Sequence, residues 1–395
     1  MAMSKPHAEI AGAGFAGLVA AIALAERGWS VRLHEKSPQL RAEGFAISTQ
    51  PNALKVLEAI GVRDRVLQGG MKIVRRETRD CNDRPIMIAP DGGGHRISRQ
   101  HIVATLEDRA RQLGVDVEFR SQIASAEGEG ALLTSTGRRL AADLVIAADG
   151  NHSCIRESLG IPAVVTNHAD GAMRLMVSRT AAEAEEDARA GPMTCERWSG
   201  TRRILTSPCS SEALYVALSC LANDELAKRI PLDETTWSGS FPYLADLLKR
   251  IGAEADWSTV RWVQFKTVKL KRWSLGRVAI VGDAAHAMPP NLAQGAGCAM
   301  MNALSLAVSL ENNPVDDALR AWEALERPLT EHTQRWSRIY GSLTVWPETL
   351  RSNAFAAMGK IKWIRRRYQR TANHEPTGYK PQTQTAAMPV LGSGE

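Results

Sequence analysis

Three glycines near the start of the chain have the spacing of a turn that binds a dinucleotide. They are Gly12, Gly14 and Gly17, with an apolar strand before them and an alanine-rich helix after them. In this pattern the first glycine makes the tight turn, the second lets backbone approach a pyrophosphate, and the third lets helix and strand pack closely. The free N–H groups and positive dipole end of the helix favour the phosphates. A glycine turn with a purely structural role is the alternative.

Glu35 ends the second strand, which is where a dinucleotide-binding unit carries an acid. Its carboxylate can accept hydrogen bonds from a ribose 2′-OH and would oppose a 2′-phosphate, so the unit favours FAD or NAD over NADP. The apolar run 10–25 also resembles a signal peptide or a membrane span. It is too short to span a bilayer and too rich in glycine, which argues against both.

Two more acids, Asp149 and Asp283, end buried strands predicted at 142–150 and 276–283. Such strands are buried on both faces, as in a parallel sheet. Ligands bind beyond the carboxyl ends of strands in sheets of this kind. Both acids are therefore candidates for a ligand site, and a simple strand-end turn is the alternative for Asp149.

The rest of the chain divides by pattern. Residues 165–270 hold alternating strands, many tryptophans and a hydrophilic segment at 181–189, which predicts a separate antiparallel sheet that closes over the cofactor. Helical patterns follow at 295–310, 315–338 and 347–370. We expect a discontinuous cofactor domain, a sheet domain for the substrate, C-terminal helices, and a polar tail that is disordered or loosely docked. The expected bounds are, in that order, 1–72 with 96–164 and 272–315; 73–95 with 165–271; 316–370; and 371–395.

Composition narrows the class of protein. The 395 residues carry a formal charge of +6, which fits anionic cofactors and acidic substrates, and no nucleic-acid motif is present. The six cysteines form no C-x-x-C pair, and no Cys/His cluster suggests a metal. We expect reduced thiols and a cytoplasmic protein without a membrane span.

The acid turn at Asp283 opens the most specific motif, Gly-Asp-Ala-Ala-His-Ala-Met-Pro-Pro-Asn-Leu-Ala-Gln-Gly-Ala-Gly at 282–297. With the two other turns it resembles the class A flavoprotein monooxygenases, the p-hydroxybenzoate hydroxylase family, over about residues 8–340. Within that family the chain is most similar to the oxygenases of hydroxypyridine carboxylates, on residues 29–37, 203–209 and 293–303. The resemblance implies a Rossmann-like, GR2-type FAD-binding domain of α/β class, an inserted antiparallel β-sheet domain and a helical C-terminus.

The resemblance also implies which residues bind FAD. Asp283 would hydrogen-bond the ribityl chain, and the helix that begins near Gly295 would aim its N–H groups at the flavin edge that becomes anionic on reduction. Arg41 and Arg99 match positions that contact FAD, and a surface charge is their alternative. The complete set of expected cofactor residues is Gly12, Gly14, Ala16, Gly17, Glu35, Lys36, Arg41, Arg99, Asp149, Asp283, Gly295, Ala296 and Gly297.

The implied reaction is the hydroxylation of an aromatic or N-heteroaromatic acid through a flavin C4a-hydroperoxide, with NADH or NADPH and oxygen as co-substrates. Hydroxylation alone and hydroxylation with ring opening are both open, as are the ring, the nicotinamide and the oligomeric state. Pro290 would line the space where oxygen and substrate meet. Arg203 and Tyr215 align with substrate-binding positions, since a guanidinium holds a carboxylate and a phenol can bond a ring hydroxyl or nitrogen. Arg174 is a weaker candidate.

Two departures point to a different, larger or more acidic substrate. Ser48 and Arg76 stand where the pyridine oxygenases have pocket tyrosines, and Arg76 is therefore a further candidate. We expect His286 to shape its loop and Cys298 to pack its helix. A flavin oxidase or reductase acting on a larger or neutral substrate is the main alternative; a non-catalytic flavin protein and a simple NAD dehydrogenase fit less well.

Overall fold

A six-stranded sheet organises the computed structural model, which describes residues 5–40 and 45–381. Its strand order is β18-β19-β12-β1-β2-β8, and every pairing is parallel except β18 with β19. The neighbouring strands β12 and β19 are buried along their whole length, which explains their continuous apolar sequences. In sheet order the strands are β18 (Ser274–Leu275), β19 (Val278–Ile280), β12 (Leu144–Ala147), β1 (His7–Ala11), β2 (Ser30–Glu35) and β8 (Asp116–Phe119).

Helices and two small sheets complete this part of the molecule. The first helix packs against α10 and α4 and is buried from Ala16 to Leu24, so it is apolar around its whole circumference. The helices are α1 (Phe15–Glu26), α2 (Pro51–Ala59), α3 (Arg63–Gln68), α4 (Arg99–Gln112), α5 (Cys154–Ser158), α9 (Asp283–His286) and α10 (Gly295–Ser309). The small sheets are β11-β10-β9 (Arg139–Ala141, Ala131–Thr134, Ile123–Glu127) and β3-β7-β4 (Ala46–Thr49, His95–Ser98, Gly70–Lys72).

A seven-stranded sheet stands opposite the first one. Its order is β17-β13-β16-β15-β14-β5-β6, and it is antiparallel apart from the parallel pair β14 and β5. The parallel pair arises because the chain enters the sheet twice. In sheet order the strands are β17 (Val263–Leu270), β13 (Ala163–Ser178), β16 (Ala213–Leu221), β15 (Arg202–Pro208), β14 (Met193–Ser199), β5 (Arg75–Arg79) and β6 (Pro85–Pro90).

Helices cover the outer face of the seven-stranded sheet. The rings of Trp237 and Phe241 stack with their centroids 6.2 Å apart, in the apolar core beneath α7 (Glu234–Ser240) and α8 (Ala245–Glu254). The hydrophilic segment predicted at 181–189 is the helix α6 (Ala181–Ala190), which buries no residue. A capping box between Thr180 and Glu183 stabilises its N-terminus.

The C-terminal helices are α11 (Val315–Ser342), α12 (Glu348–Lys360) and α13 (Lys362–Tyr368). The single helix expected at 347–370 is thus interrupted at Ile361. An apolar cluster joins these helices to the seven-stranded sheet, with the Trp198 and Phe355 rings 5.4 Å apart.

Residues 371–381 are docked, which differs from the disordered or loosely docked tail expected at 371–395; the rest of that range, 382–395, lies outside the described residues. Thr371 is buried and its hydroxyl contacts that of Thr333 at 2.7 Å. The Ala372 carbonyl accepts a hydrogen bond from the backbone amide of Asn52 at 3.1 Å. The Tyr379 hydroxyl donates to Glu58 Oε1 at 3.3 Å. Two of these three contacts are made by side chains of the segment, Thr371 and Tyr379, and the third by its backbone. Among the helices in residues 5–40 and 45–381, none has both the length and the apolarity to cross a membrane.

Candidate functional site

One cavity of about 900 Å³ lies between the two large sheets. The carboxyl ends of β1, β2 and β12 open into it on one side, together with the N-termini of α1 and α10. The inner face of the seven-stranded sheet forms the other side, and residues from α12, α13 and the docked segment 371–381 close one end. Nearly all of the residues singled out from the sequence meet here.

The glycine turn has the geometry expected of a dinucleotide cradle. Gly12 has φ +102°, and a Cβ on it would overlap the carbonyl oxygen of Ala148. A Cβ on Gly17 would overlap the Gly12 carbonyl, so the turn and α1 can approach only without side chains. Gly14 instead has no atom within 4 Å of its Cβ position and faces the cavity. The turn is therefore tight on its protein side and open towards a ligand.

Glu35 is fixed at the end of β2 beside this turn. Its carboxylate accepts hydrogen bonds from the Ala13 amide at 3.3 Å and from the Ser37 amide at 2.9 Å. Glu35 and Lys36 both line the cavity. A carboxylate held in this way is positioned to accept from a sugar hydroxyl.

Asp149 and Asp283 lie at the ends of their strands and face the same space. Asp149 Oδ2 accepts from the Ile155 amide at 3.3 Å, while its buried Oδ1 has no hydrogen-bond partner among the described residues. The Asp283 side chain is open to the cavity, but the cavity itself lies deep between the two sheets. This burial raises the pKa of Asp283, and the charge of Arg99 opposes the rise. Both acids therefore offer acceptor oxygens to a ligand.

The helix α10 begins at the cavity. Its N-cap, Gln294, makes no side-chain cap, so the first amides of the helix are not satisfied by that side chain. Gly295 and Ala296 line the cavity. Gly297 lies behind them, where a Cβ would come within 2.9 Å of Gln294 Oε1 and 3.1 Å of Asn52 Nδ2. The N-terminus is thus a site that favours negative charge, and Gly297 permits its close packing.

Pro290 belongs to a short 3₁₀ turn, Pro290–Leu292, that the protein holds from behind. Ser337 Oγ donates to the Pro289 carbonyl, and Asn291 Nδ2 donates to the Ser337 carbonyl at 3.1 Å. His286 is buried nearby, and Asn302 donates to its Nε2 at 3.0 Å. Burial lowers the pKa of His286 to about 4, so the ring is neutral at pH 7. Its contacts agree with a role in shaping the loop.

Strand register decides which side chains of the seven-stranded sheet face the cavity. Residues directly opposite one another on neighbouring strands share a face. On β15 and β16, Arg203 lies opposite Ser219. Two residues further along these strands, Leu205 lies opposite Ala217. All four line the cavity. So do Tyr215 on β16, which lies opposite Ser207, and Arg76 on β5, which lies opposite Thr194.

Arg203 has an internal partner that the sequence did not predict. Its Nη1 lies 3.0 Å from Glu196 Oε1, and both terminal nitrogens donate to Asn291 Oδ1 at 3.2 Å. Glu196 also accepts from the Tyr340 hydroxyl. The buried Asp170 is close enough to Arg203 for the guanidinium to oppose the burial-driven rise in its pKa. The charge of Arg203 is therefore balanced inside the protein, and the side chain ties the sheet to the Pro290 turn.

Tyr215 lines the cavity, and none of the hydrogen bonds among the described residues involves its hydroxyl. Its ring lies against the Arg96 guanidinium, 5.1 Å from the ring centroid. Arg96 is buried and donates to Ser207 Oγ at 3.1 Å and to Thr194 Oγ1 at 3.4 Å, and burial lowers its pKa. The sequence interpretation missed Arg96, because a cation in the short, mostly polar strand β7 carries no distinguishing signal.

The other two cations differ in their partners. Arg76 pairs with the buried Asp91 and donates to Ser48 Oγ at 3.2 Å. Arg174 lies over the Phe265 ring at 5.8 Å, with no carboxylate partner in the described residues.

The structure thus brings most of the predicted residues to one cavity. Gly17 and Gly297 support the walls from behind, and Arg41 lies outside the described residues. Those that line the cavity are Gly12, Gly14, Ala16, Glu35, Lys36, Arg76, Arg99, Asp149, Arg203, Tyr215, Asp283, Pro290, Gly295 and Ala296.

These features fit FAD. The glycine cradle, the partnerless Asp149 Oδ1 and the open N-terminus of α10 are the donor and acceptor types that a pyrophosphate, a ribityl chain and an anionic flavin edge require. The comparison with known proteins agrees. The family model described as FAD binding domain matches residues 6–318.

Two relatives are similar over nearly their whole length. A putative 2-heptyl-3-hydroxy-4(1H)-quinolone synthase of Rhodococcus erythropolis is 37% identical over 94% of this chain and 97% of the relative. A 2-heptyl-3-hydroxy-4(1H)-quinolone synthase of Mycobacteroides abscessus is 36% identical over 91% of this chain and 96% of the relative.

A solved structure of 2-methyl-3-hydroxypyridine-5-carboxylic acid oxygenase, in its tetrameric form, is similar with a TM-score of 0.83. It shares 38% identity over 94% of this chain and 97% of that one. Sequence, cavity and comparisons agree that the chain belongs to the FAD-binding domain family of class A flavin monooxygenases and is an FAD-dependent monooxygenase.

Proposed function

We propose that this protein hydroxylates an oxygen-bearing N-heteroaromatic ring of the quinolone or hydroxypyridine type, with NADH or NADPH and oxygen as co-substrates. The observation that carries the proposal is the shared cavity, in which Pro290 at the cofactor side and the unpartnered hydroxyl of Tyr215 line one space. The ring class comes from the relatives, whose names specify quinolones and a hydroxypyridine.

The charges favour a ring without a carboxylate at Arg203. That guanidinium is already paired with Glu196, and Arg76 is paired with Asp91. A substrate carboxylate would have to displace a buried partner, which leaves an uncompensated charge. Arg96 lacks a carboxylate partner among the described residues and lies behind Tyr215. It would favour negative charge on a ring oxygen held by the Tyr215 hydroxyl.

The glycine turn at 12–17, Asp149, Asp283 and the N-terminus of α10 would hold FAD, which would supply hydride acceptance from the nicotinamide and activation of oxygen. The protein supplies position and environment. The amides at the start of α10 stabilise negative charge beside them, and the Arg203–Asn291 contact holds the Pro290 turn. Tyr215 orients the ring through its oxygen or nitrogen, and the surrounding sheets exclude water.

The test measures nicotinamide oxidation, oxygen uptake and product mass with the FAD-loaded protein. The panel contains 4-quinolones and hydroxypyridines, each with and without a ring carboxylate. We expect a ring-dependent rise in all three readouts, a product heavier by one oxygen atom, and a preference for the ring without the carboxylate. Nicotinamide oxidation that no ring accelerates, with hydrogen peroxide as the only oxygen product, would instead support the oxidase or reductase alternative.

A further inference from the structure

One end of the cavity is apolar, in contrast to the charged face around Arg203. We call this surface the apolar wall, and define it as Met87, Leu205, Leu292, Met358 and Tyr368, which all line the cavity. Met87 comes from the edge strand β6, Met358 from α12 and Tyr368 from α13. Part of the wall is therefore supplied by helices that lie beyond residue 318, where the family model ends.

The apolar wall is the inner surface of a packed cluster. Phe355 and Trp198 are fully buried behind it, and Met358 belongs to the same cluster. A Cβ added to Gly359 would come within 2.9 Å of Met87 Cγ, so α12 lies directly on the edge strand. Methionine side chains adapt their shape to an apolar neighbour, whereas the cluster behind them keeps the wall in place.

The apolar wall starts next to the reacting region. Leu292 lies in the same 3₁₀ turn as Pro290, and Leu205 shares the cavity face of β15 with Arg203. A ring held between Pro290 and Tyr215 would thus have its charged neighbours on one side and the apolar wall on another. In the row that runs from Leu205 to Met87, Glu196 and Thr78 lie between them, and the Glu196 carboxylate is paired with Arg203. Against the other side chains of the wall, a polar substituent would lose its hydrogen bonds to water.

We propose that the apolar wall binds an alkyl substituent of several carbons on the substrate ring, and that the C-terminal helices thereby set the substrate preference. This inference rests on the proposed function, because it assumes that the ring binds beside Pro290. The chemistry is burial of methylene groups, which strengthens binding by about fourfold for each CH₂ removed from water.

The experiment measures the affinity of the FAD-loaded protein for 4-quinolones with 2-alkyl chains from methyl to nonyl, by the change in flavin fluorescence. We expect affinity to rise by about fourfold per methylene until the chain fills the wall. The Met358→Gln variant keeps the side-chain length but adds a polar amide, so the gain in affinity per methylene should shrink. The control is Leu350→Gln on the same helix, because Leu350 is 55% exposed; its increments should match those of the unaltered protein.

The outcomes separate the two proposals. Equal affinity for the methyl and heptyl compounds in the unaltered protein, with both rings oxygenated, would overturn the apolar wall and leave the ring hydroxylase intact. If Met358→Gln and Leu350→Gln changed the gain in affinity per methylene equally, that result would also overturn the apolar wall. If none of the quinolones bound or raised nicotinamide oxidation, the proposed ring class itself would fail. The chain-length series needs no variant, so its result does not depend on how Met358→Gln folds.

Discussion

Replacing Arg203 with Met distinguishes a substrate-binding arginine from an internal one. In the structure its side chain is only 7% exposed, and its partner Glu196, diagonal to it on the neighbouring strand β14, is 12% exposed. The Arg203→Met variant keeps the volume and removes the charge, which leaves Glu196 and the buried Asp170 without their cation. Breaking a buried pair from one side costs about 3–5 kcal/mol, so we expect unfolding to become easier by that amount.

Urea unfolding, followed by far-UV circular dichroism and tryptophan emission together, measures this loss. The matched control is Arg65→Met, which breaks the exposed pair with Asp108 and should change stability by about 1 kcal/mol or less. Adding Glu196→Gln to Arg203→Met should recover part of the loss, because the remaining group is then neutral. Such recovery is the signature of a coupled pair.

The reasoning would be refuted by a stable Arg203→Met variant. If it unfolded within about 1 kcal/mol of the unaltered protein, and if it lost affinity for rings that carry a carboxylate but kept affinity for those that do not, Arg203 would be a ligand of the substrate carboxylate. The resemblance to the hydroxypyridine carboxylate oxygenases implied that role.

Three further predictions use other parts of the site. Gly14→Ala should keep its fold, since its Cβ meets no protein atom, but should lose at least tenfold in FAD affinity measured by equilibrium dialysis; Gly239→Ala, which also meets nothing, should bind FAD normally. Tyr215→Phe should leave stability nearly unchanged, because its hydroxyl has no hydrogen-bond partner among the described residues. It should lower kcat/KM for a ring whose oxygen or nitrogen bonds that hydroxyl by about 10- to 100-fold, the value of a hydrogen bond to a charged group. His286 should make stability pH-dependent: its pKa is about 4 when folded and 6.5 when unfolded, so the unfolded chain binds the proton first and stability falls as the pH drops from 6.5 towards 4, by about 3 kcal/mol in total. Above pH 6.5 the residue contributes no slope. His286→Gln should reduce the acid-side slope in urea unfolding without abolishing it, because burial also lowers the pKa of His95, His168 and His332. An unchanged slope would contradict the assignment.

Local rules account for the parts of the fold that the sequence predicted well. The turn from Gly12 to Gly17 requires residues without a Cβ, and this requirement is visible in the sequence because it concerns neighbouring residues. The α/β class, the FAD-binding family and the monooxygenase activity followed from such short motifs and are confirmed. Asp149 and Asp283 were identifiable because each ends a buried strand, and all parallel strands of a sheet open at the same edge.

The remaining features depend on contacts between distant segments. Arg203 and Glu196 lie on neighbouring strands, and their pairing follows from the register of β14 against β15, which sequence spacing alone did not specify. Residues 371–381 look like a polar tail until Asn52 and Thr333 are placed beside them.

The sequence by itself determined the cofactor cradle, because backbone sterics and strand-end position are local properties. Only the tertiary structure decided which charges are balanced within the protein and which helices wall the cavity. Register and packing join residues far apart in the chain, so Met358 reached the cavity and Arg96 reached Tyr215 only when the sheets and helices came together.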